Sequence, residues 1–267
     1  MIRKSKTSST VIPAQAGIQD RHSNADSRPS ENDGIYYPIR INKYLALRGD
    51  ATRRGADALI EERKVTVNGR LARLGDLVSE KDIVLVKGAD SKKYVYYAYC
   101  KPKGVITHSP QNEEKSIADS IRGKIREEVF PVGRLDKDSH GLIILTNDGR
   151  ITGKLLSPER GHEKEYVVTV DKPITERFVK QMERGVDIEG YKTKPARANE
   201  IGTCKLDVVI TEGKKHQLRR MCAALGYTVR DILRIRIMNI ALGRLNAGQF
   251  REIKGKELEA FLSSIGM

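Results

Sequence analysis

The carboxylate with the greatest chemical interest is Asp136, inside VFPVGRLDKDSHGLIILTNDG at residues 129–149. A turn with Gly133 and Arg134 leads into it and the apolar run GLIILT follows, so Asp136 sits at the mouth of a strand. Sites are often built there, but Asp is also a common turn former, and local sequence leaves both readings open. A calcium loop is a third reading, because Asp136, Asp138 and Gly141 fall at positions 1, 3 and 6 of such a loop. It fails. Position 5 is His140, position 12 is Asn147 where a bidentate Glu belongs, and LIIL would run a strand through the remaining ligand positions. Tyr166, in HEKEYVVTV, has a flat amphipathic ring able to stack on a base, or is an ordinary half-buried strand tyrosine. Arg219, in GKKHQLRRMCAALG, is a cation that could contact a phosphate.

These residues need elements to hold them. YVYYAYC, GLIILT, EKEYVVTV, CKLDVVIT and ILRIRIMNIAL read as strands. TERFVKQMERG reads as a helix opened by Thr175 and closed by Gly185, and KKHQLRRMCAALG as an amphipathic helix with Leu218, Met221, Cys222 and Leu225 inward. ELEAFLSSI gives a last helix. Strands outnumber helices and are mostly consecutive, which predicts an α+β domain around a mixed, largely antiparallel sheet over 94–267. Before it, IRINKYLALRGD places Ile41, Tyr44, Leu45 and Leu47 on a helical period ended by Gly49. Thr52 caps a second helix with Ala56, Leu59 and Ile60 on its apolar face. VTVNGRLA turns at Asn68-Gly69, a hairpin signal, and IVLVKG closes a small module over 39–88. Residues 89–93 read as a linker and 1–36, rich in Ser, Asn, Asp and Pro, as a disordered extension. Its basic start faintly suggests an import peptide, but Pro13 and Gly17 interrupt any helix.

The chain of 267 residues carries a formal charge of +14, which points to a polyanionic partner. Between Arg40 and Lys87 there are 11 basic residues against 7 acidic, with Arg40, Lys43, Arg48, Arg53 and Arg54 clustered on the two helices. Between Gly213 and Arg236 there are 7 basic residues, namely Lys214, Lys215, Arg219, Arg220, Arg230, Arg234 and Arg236, against Asp231 alone. Both could be RNA-gripping surfaces or merely solvated faces. Cys100, Cys204 and Cys222 are widely separated and form no C-x-x-C pair, so neither a disulfide framework nor a zinc site is supported. No metal or cofactor is expected. A reducing compartment, the cytoplasm, fits this cysteine usage, and no apolar run approaches the ~20 residues a membrane helix needs.

RINKYLA, TRRGADALI and VTVNG followed by DIVLV resemble the S4 RNA-binding domain, with Glu62-Arg63-Lys64 standing where that family often has a Gly turn. GRLDKDSHGLIILTNDG, HEKEYVVTV and EGKKHQLRRMCAALGY, in that order, resemble the three motifs of the rRNA pseudouridine synthases, with Ser139 where many members have Thr. HEKEYVVTVDKPIT and RIRIMNIAL look most like the members acting on large-subunit 23S rRNA. The resemblance implies isomerisation of a uridine in structured RNA. It makes Asp136 the essential carboxylate, Tyr166 the active-site tyrosine and Arg219 the basic residue that pairs with the aspartate. Beside these, Arg134, Lys214, Lys215, Gln217 and Arg220, and Arg40, Lys43, Arg53 and Arg54 in the first module, are the expected RNA contacts, the two basic stretches supplying most of them.

The chemistry fits those roles. Breaking the N1–C1′ bond builds positive charge on the ribose, which an ionised carboxylate stabilises or traps. The carboxylate should lie in a dry pocket, where a nearby cation offsets the effect of burial. The target must also leave its stack, at a cost of about a few kcal/mol. The sequence leaves a tRNA stem-loop open as the substrate beside 23S rRNA, and a catalytically silent RNA-binding or ribosome-assembly protein open as the alternative function. A monomer is the default expectation.

Overall fold

The computed structural model describes residues 37–87, 93–107 and 114–267, divided between two units. The expected extension at 1–36 and the linker residues 89–92 lie outside the described residues. The first unit takes in the chain to Tyr94 with Asp148–Arg150, and the second holds Val95–Asn147 and Ile151–Met267.

In the first unit, β1 (Ile39–Arg40) leads directly into α1 (Ile41–Arg48), which Gly49 ends in the left-handed conformation at φ 88°. Thr52 caps α2 (Arg53–Glu61), its side chain accepting from Gly55 N at 2.9 Å. This satisfies one of the orphan N–H groups of the first turn. Ile41, Tyr44 and Leu45 from α1 and Ala56 and Ile60 from α2 are buried together, while Leu47 and Leu59 are partly buried. β2 (Val65–Val67) and β3 (Arg70–Leu71) form the hairpin read from Asn68-Gly69, both of which have positive φ, 50° and 80°. A two-residue turn of matching twist requires that pair of angles. β4 (Leu77–Val78) pairs with β1, and β5 (Val84–Val86) lies on the other side of β2. Within Glu62-Arg63-Lys64, Arg63 adopts φ 59°, a left-handed angle uncommon outside glycine.

The second unit is built on one sheet of nine strands. In chain order its elements are β6 (Tyr96–Lys101), α3 (Ile117–Ile121), β7 (Phe130–Val132), β8 (His140–Thr146), α4 (Arg150–Leu156) and β9 (Lys164–Val170). There follow α5 (Glu176–Glu183), the small hairpin β10 (Asp187–Ile188) and β11 (Tyr191–Lys192), β12 (Arg197–Gly202) and β13 (Lys205–Ile210). The chain ends through α6 (Gln217–Ala224), β14 (Val229–Ile237), β15 (Ile240–Ala241), β16 (Phe250–Glu252) and α7 (Gly255–Ser264). The sheet order is β12-β13-β9-β14-β8-β6-β16, with β7 on β8 and β15 on β14. The pairing of β14 with β8 is parallel and the other pairings are antiparallel, in keeping with the mixed, largely antiparallel sheet expected.

Leu142, Ile143, Ile144 and Leu145 are all fully buried, so β8 is covered on both faces, and each such side chain contributes about 2 kcal/mol. Gly141 opens that run with φ 101°, and a Cβ there would lie 2.3 Å from Arg234 O. Only glycine lets β8 approach β14 that closely. One sequence expectation needs correction. ILRIRIMNIAL is not a single strand but a hairpin, turning at Met238 (φ 52°) and Asn239 between β14 and β15.

Candidate active site

Asp136 stands in the tight connection from β7 to β8. Gly133 has φ 78°, and Ser139 N donates to Asp136 O at 3.0 Å, closing a turn that carries the carboxylate outward. The preceding residue is held from both sides: buried Thr107 donates through Oγ1 to Leu135 O at 2.8 Å and accepts from Leu135 N at 3.2 Å. Gly104 N donates to Lys137 O at 2.9 Å on the other flank. The Asp136 side chain is 36% exposed, so the dry pocket expected from the chemistry is open to solvent at the carboxylate.

The carboxylate faces a cleft of about 160 Å³ whose walls include Arg134, Tyr166, Ile210, Lys214, Lys215, His216 and Leu218. That is the scale of one small ring, well below the ~300–1,000 Å³ of pockets for drug-sized ligands. Tyr166, 8% exposed on β9, forms part of the wall opposite the Asp136 turn. The side chain that meets Asp136 is His216, whose Nε2 lies 3.5 Å from Asp136 Oδ1. His216 caps α6 with φ 52°, a left-handed angle that is uncommon outside glycine, so the cap itself aims the ring. The expected partner, Arg219, reaches the same turn differently: its Nη2 donates to Asp138 O at 3.4 Å, and the Arg219–Asp136 pair is not formed. The helix starts at Gln217, one turn later than KKHQ suggested, which leaves Lys214 and Lys215 in the loop over the cleft.

The other expected RNA contacts separate into two sets. Arg134, Lys214 and Lys215 are exposed at the cleft, and Arg40, Arg53 and Arg54 are exposed and Lys43 half-buried in the first unit. Gln217 and Arg220 are committed elsewhere. Gln217 is buried, donates from Nε2 to Glu212 Oε1 at 2.8 Å and accepts from Lys214 N at 2.9 Å, so both ends of its amide are used internally. Arg220 Nη2 donates to Ile188 O at 2.9 Å and to Glu189 at 2.8 Å, tying α6 to the β10–β11 hairpin. Arg48, Arg234 and Arg236 are likewise internal ties: Arg48 holds Asp50 and Val84 O, Arg234 holds Leu142 O, and Arg236 pairs with Glu163 and Glu165.

Sequence reasoning missed four residues that shape the site. Glu212, buried, accepts from Tyr191 Oη at 2.7 Å, Lys194 N at 3.0 Å and Gln217, and so fixes the loop bearing Lys214–His216. Lys101 is wholly buried, and burial pushes its ammonium down to about 8 although Asp136 and Asp138 pull it upward. Thr107 and His216 complete the four. Only His216 carried a usable signal, its place beside Gln217 at the start of a basic helix. Among the described residues no group of three or more His, Cys, Asp or Glu is placed to hold a metal.

The chain is 40% identical over 225 residues to the dual-specificity RNA pseudouridine synthase RluF of Escherichia coli, covering 82% of this chain and 77% of that one. The chain belongs to the RNA pseudouridine synthase family. The family profile, described as RNA pseudouridylate synthase, matches residues 95–224, and the S4 domain profile matches residues 39–84. Ribosomal large subunit pseudouridine synthase B of Bacillus subtilis is 34% identical over 229 residues, covering 82% of this chain and 94% of that one. A pseudouridylate synthase crystal structure superposes with a TM-score of 0.62 at 26% identity, covering 85% of this chain and 99% of that one. The protein is therefore an enzyme that isomerises uridine in RNA to pseudouridine, and it carries an S4 RNA-binding domain. Among the described residues no helix is long and apolar enough to cross a membrane.

Proposed function

We propose that Asp136 is the carboxylate of this isomerisation and that the substrate is a uridine of 23S rRNA. The observation that carries the assignment of Asp136 is its placement: a carboxylate on a turn pinned at Leu135 and Lys137, facing a ring-sized cleft walled by Tyr166. As the N1–C1′ bond breaks, Asp136 meets the positive charge on C1′, either electrostatically or by a covalent bond. The detached uracil turns without leaving, its C5 bonds to C1′, and the C5 proton is lost as N1 gains one. Tyr166 stacks on the flipped base and, once the new bond has formed, relays the C5 proton, giving up its own phenolic proton as it accepts that one. Arg219, at Asp138 O, adds positive charge beside Asp136. Because the carboxylate is open to solvent, the flipped uridine itself has to exclude water from the cleft.

The choice of ribosomal RNA draws on the relative named for the ribosomal large subunit. A relative named as dual-specificity leaves room for a second RNA substrate, for which a tRNA stem-loop is the alternative reading. The exposed basic residues Arg134, Lys214 and Lys215 grip the RNA at the cleft, and Arg40, Lys43, Arg53 and Arg54 grip it from the S4 domain. On this reading the enzyme works as a cytoplasmic monomer without a cofactor. The deciding experiment maps pseudouridine in total RNA from cells lacking the gene and supplied with wild type or Asp136→Ala. Sites restored by wild type and absent with Asp136→Ala identify both the RNA and the carboxylate. Full restoration by Asp136→Ala removes Asp136 from the chemistry.

A further inference from the structure

Two buried cations lie behind the Asp136 turn, and among the described residues neither has a carboxylate within ion-pair reach. Lys101, at the end of β6, donates from Nζ to Val105 O at 2.7 Å, to Pro102 O at 2.9 Å and, at a long 3.4 Å, to Lys137 O. Arg234, on β14, is 4% exposed. Its Nε donates to Leu142 O at 2.7 Å and its Nη1 reaches Arg134 O at 3.4 Å, while Nη2 is buried with no partner among the described residues. Arg134 and Lys137 bracket Leu135 and Asp136. The carbonyls on both sides of the carboxylate are thus staked from beneath by positive charge. Arg234 also stands directly opposite Tyr166 in the β9–β14 register, its guanidinium carbon 6.0 Å from the ring centroid.

A residue needed only to fill that space would be apolar, because burying an unpaired charge is far more costly than burying a methyl group. What both cations reach is the Asp136 turn, through the carbonyls of Arg134 and Lys137 that flank it, and the Asp136 charge acts on Lys101. We infer that Arg234, assisted by Lys101, is a positioning residue for the reaction, fixing the Asp136 turn and the Tyr166 ring relative to each other. This rests on the reading of Asp136 as the catalytic carboxylate. The rigid guanidinium fork is what lets one side chain hold Leu142 O and Arg134 O together, so a lysine at this position can only partly replace it.

The test uses full-length protein and the RNA fragment found by mapping, with single-turnover rate and RNA affinity measured separately. Arg234→Gln is expected to slow the single turnover about 100-fold while RNA affinity stays within about threefold of wild type. Arg234→Lys should recover part of the rate. Tyr166→Phe added to Arg234→Gln should cost less than the product of the two single effects, since the two residues share one geometry. Wild-type turnover in Arg234→Gln, with Asp136→Ala inactive, overturns this inference and leaves the catalytic reading standing. Full activity in Asp136→Ala overturns the catalytic reading itself. Strictly multiplicative effects, or loss of the fold in both Arg234 variants by circular dichroism, would make Arg234 a scaffold residue and overturn the inference.

Discussion

On α2 of the S4 domain, Arg53 and Arg54 project from the exposed side of a helix whose Ala56 and Ile60 face inward, and neither makes an ion pair among the described residues. On β14 the same residue type is drawn inside: Arg234 is buried against backbone carbonyls, and Arg236 is held between Glu163 and Glu165. Both stretches looked alike as charge counts. The difference lies in the element. A short amphipathic helix offers its basic residues a face toward water, whereas a central strand between β9 and β8 must bury part of every side chain it carries. The basic surplus therefore stays exposed at Arg53 and Arg54 on the first stretch and is drawn into internal architecture at Arg220, Arg234 and Arg236 on the second.

Arg236 gives the strongest way to break that contrast. Arg236→Met would leave Glu163 and Glu165 without their shared cation, close to Asp207, whose carboxyl burial already pushes up and whose Oδ1 is buried without a partner among the described residues. The expected loss of stability is about 2 kcal/mol in urea unfolding, below the ~3–5 of a fully buried pair because these side chains are 22–40% exposed. RNA affinity of the remaining folded protein should be unchanged. A fall in affinity at unchanged stability would place Arg236 on the RNA surface after all. The double change Arg53→Ala with Arg54→Ala should do the reverse. Affinity is expected to drop about tenfold and the salt slope to flatten by one to two units, with stability altered by less than about 0.5 kcal/mol.

What could be read in advance follows a physical line. Gly49, Thr52, Asn68-Gly69, Thr175 and Gly185 were legible because each acts within its own turn or cap, where residue type and backbone angle are coupled. Asp136 and Tyr166 came from motif order, and they do line one cleft. Lys101, Thr107 and Glu212 were not legible, since their work is done by bonds to the backbone or to side chains brought near only by the fold. Thr107 meets Leu135 across 28 positions and Arg234 meets Leu142 across 92. Nor did residue type show the internal bonds of two expected RNA contacts, Arg220 to the β10–β11 hairpin and Gln217 to Glu212. The Met238–Asn239 turn was hidden because it contains neither Gly nor Pro.

The smallest effect sharpens the contrast from the buried side. Lys101 faces Asp136, Asp138 and Arg234, and burial lowers its ammonium from the ordinary 10.5 to about 8 in the folded protein. Between those values the unfolded chain binds the proton that the folded protein has released, so stability rises as pH climbs through about 8. From pH 7 to pH 9 the gain from this one group is about 1 kcal/mol. Lys164, also pushed down to about 8 by burial with Arg234 adding to the shift, acts with the same sign, and its partial exposure makes its share smaller. Urea unfolding of wild type and Lys101→Met at the two pH values should therefore show a smaller pH gain in the variant. Single-turnover rate should move the opposite way in wild type, falling toward pH 9 as the positive charge behind Asp136 is lost. Parallel rises of stability and rate would mean that the Lys101 charge opposes the fold without serving the carboxylate, and would leave Arg234 and Arg219 as the cations with a claim on the chemistry.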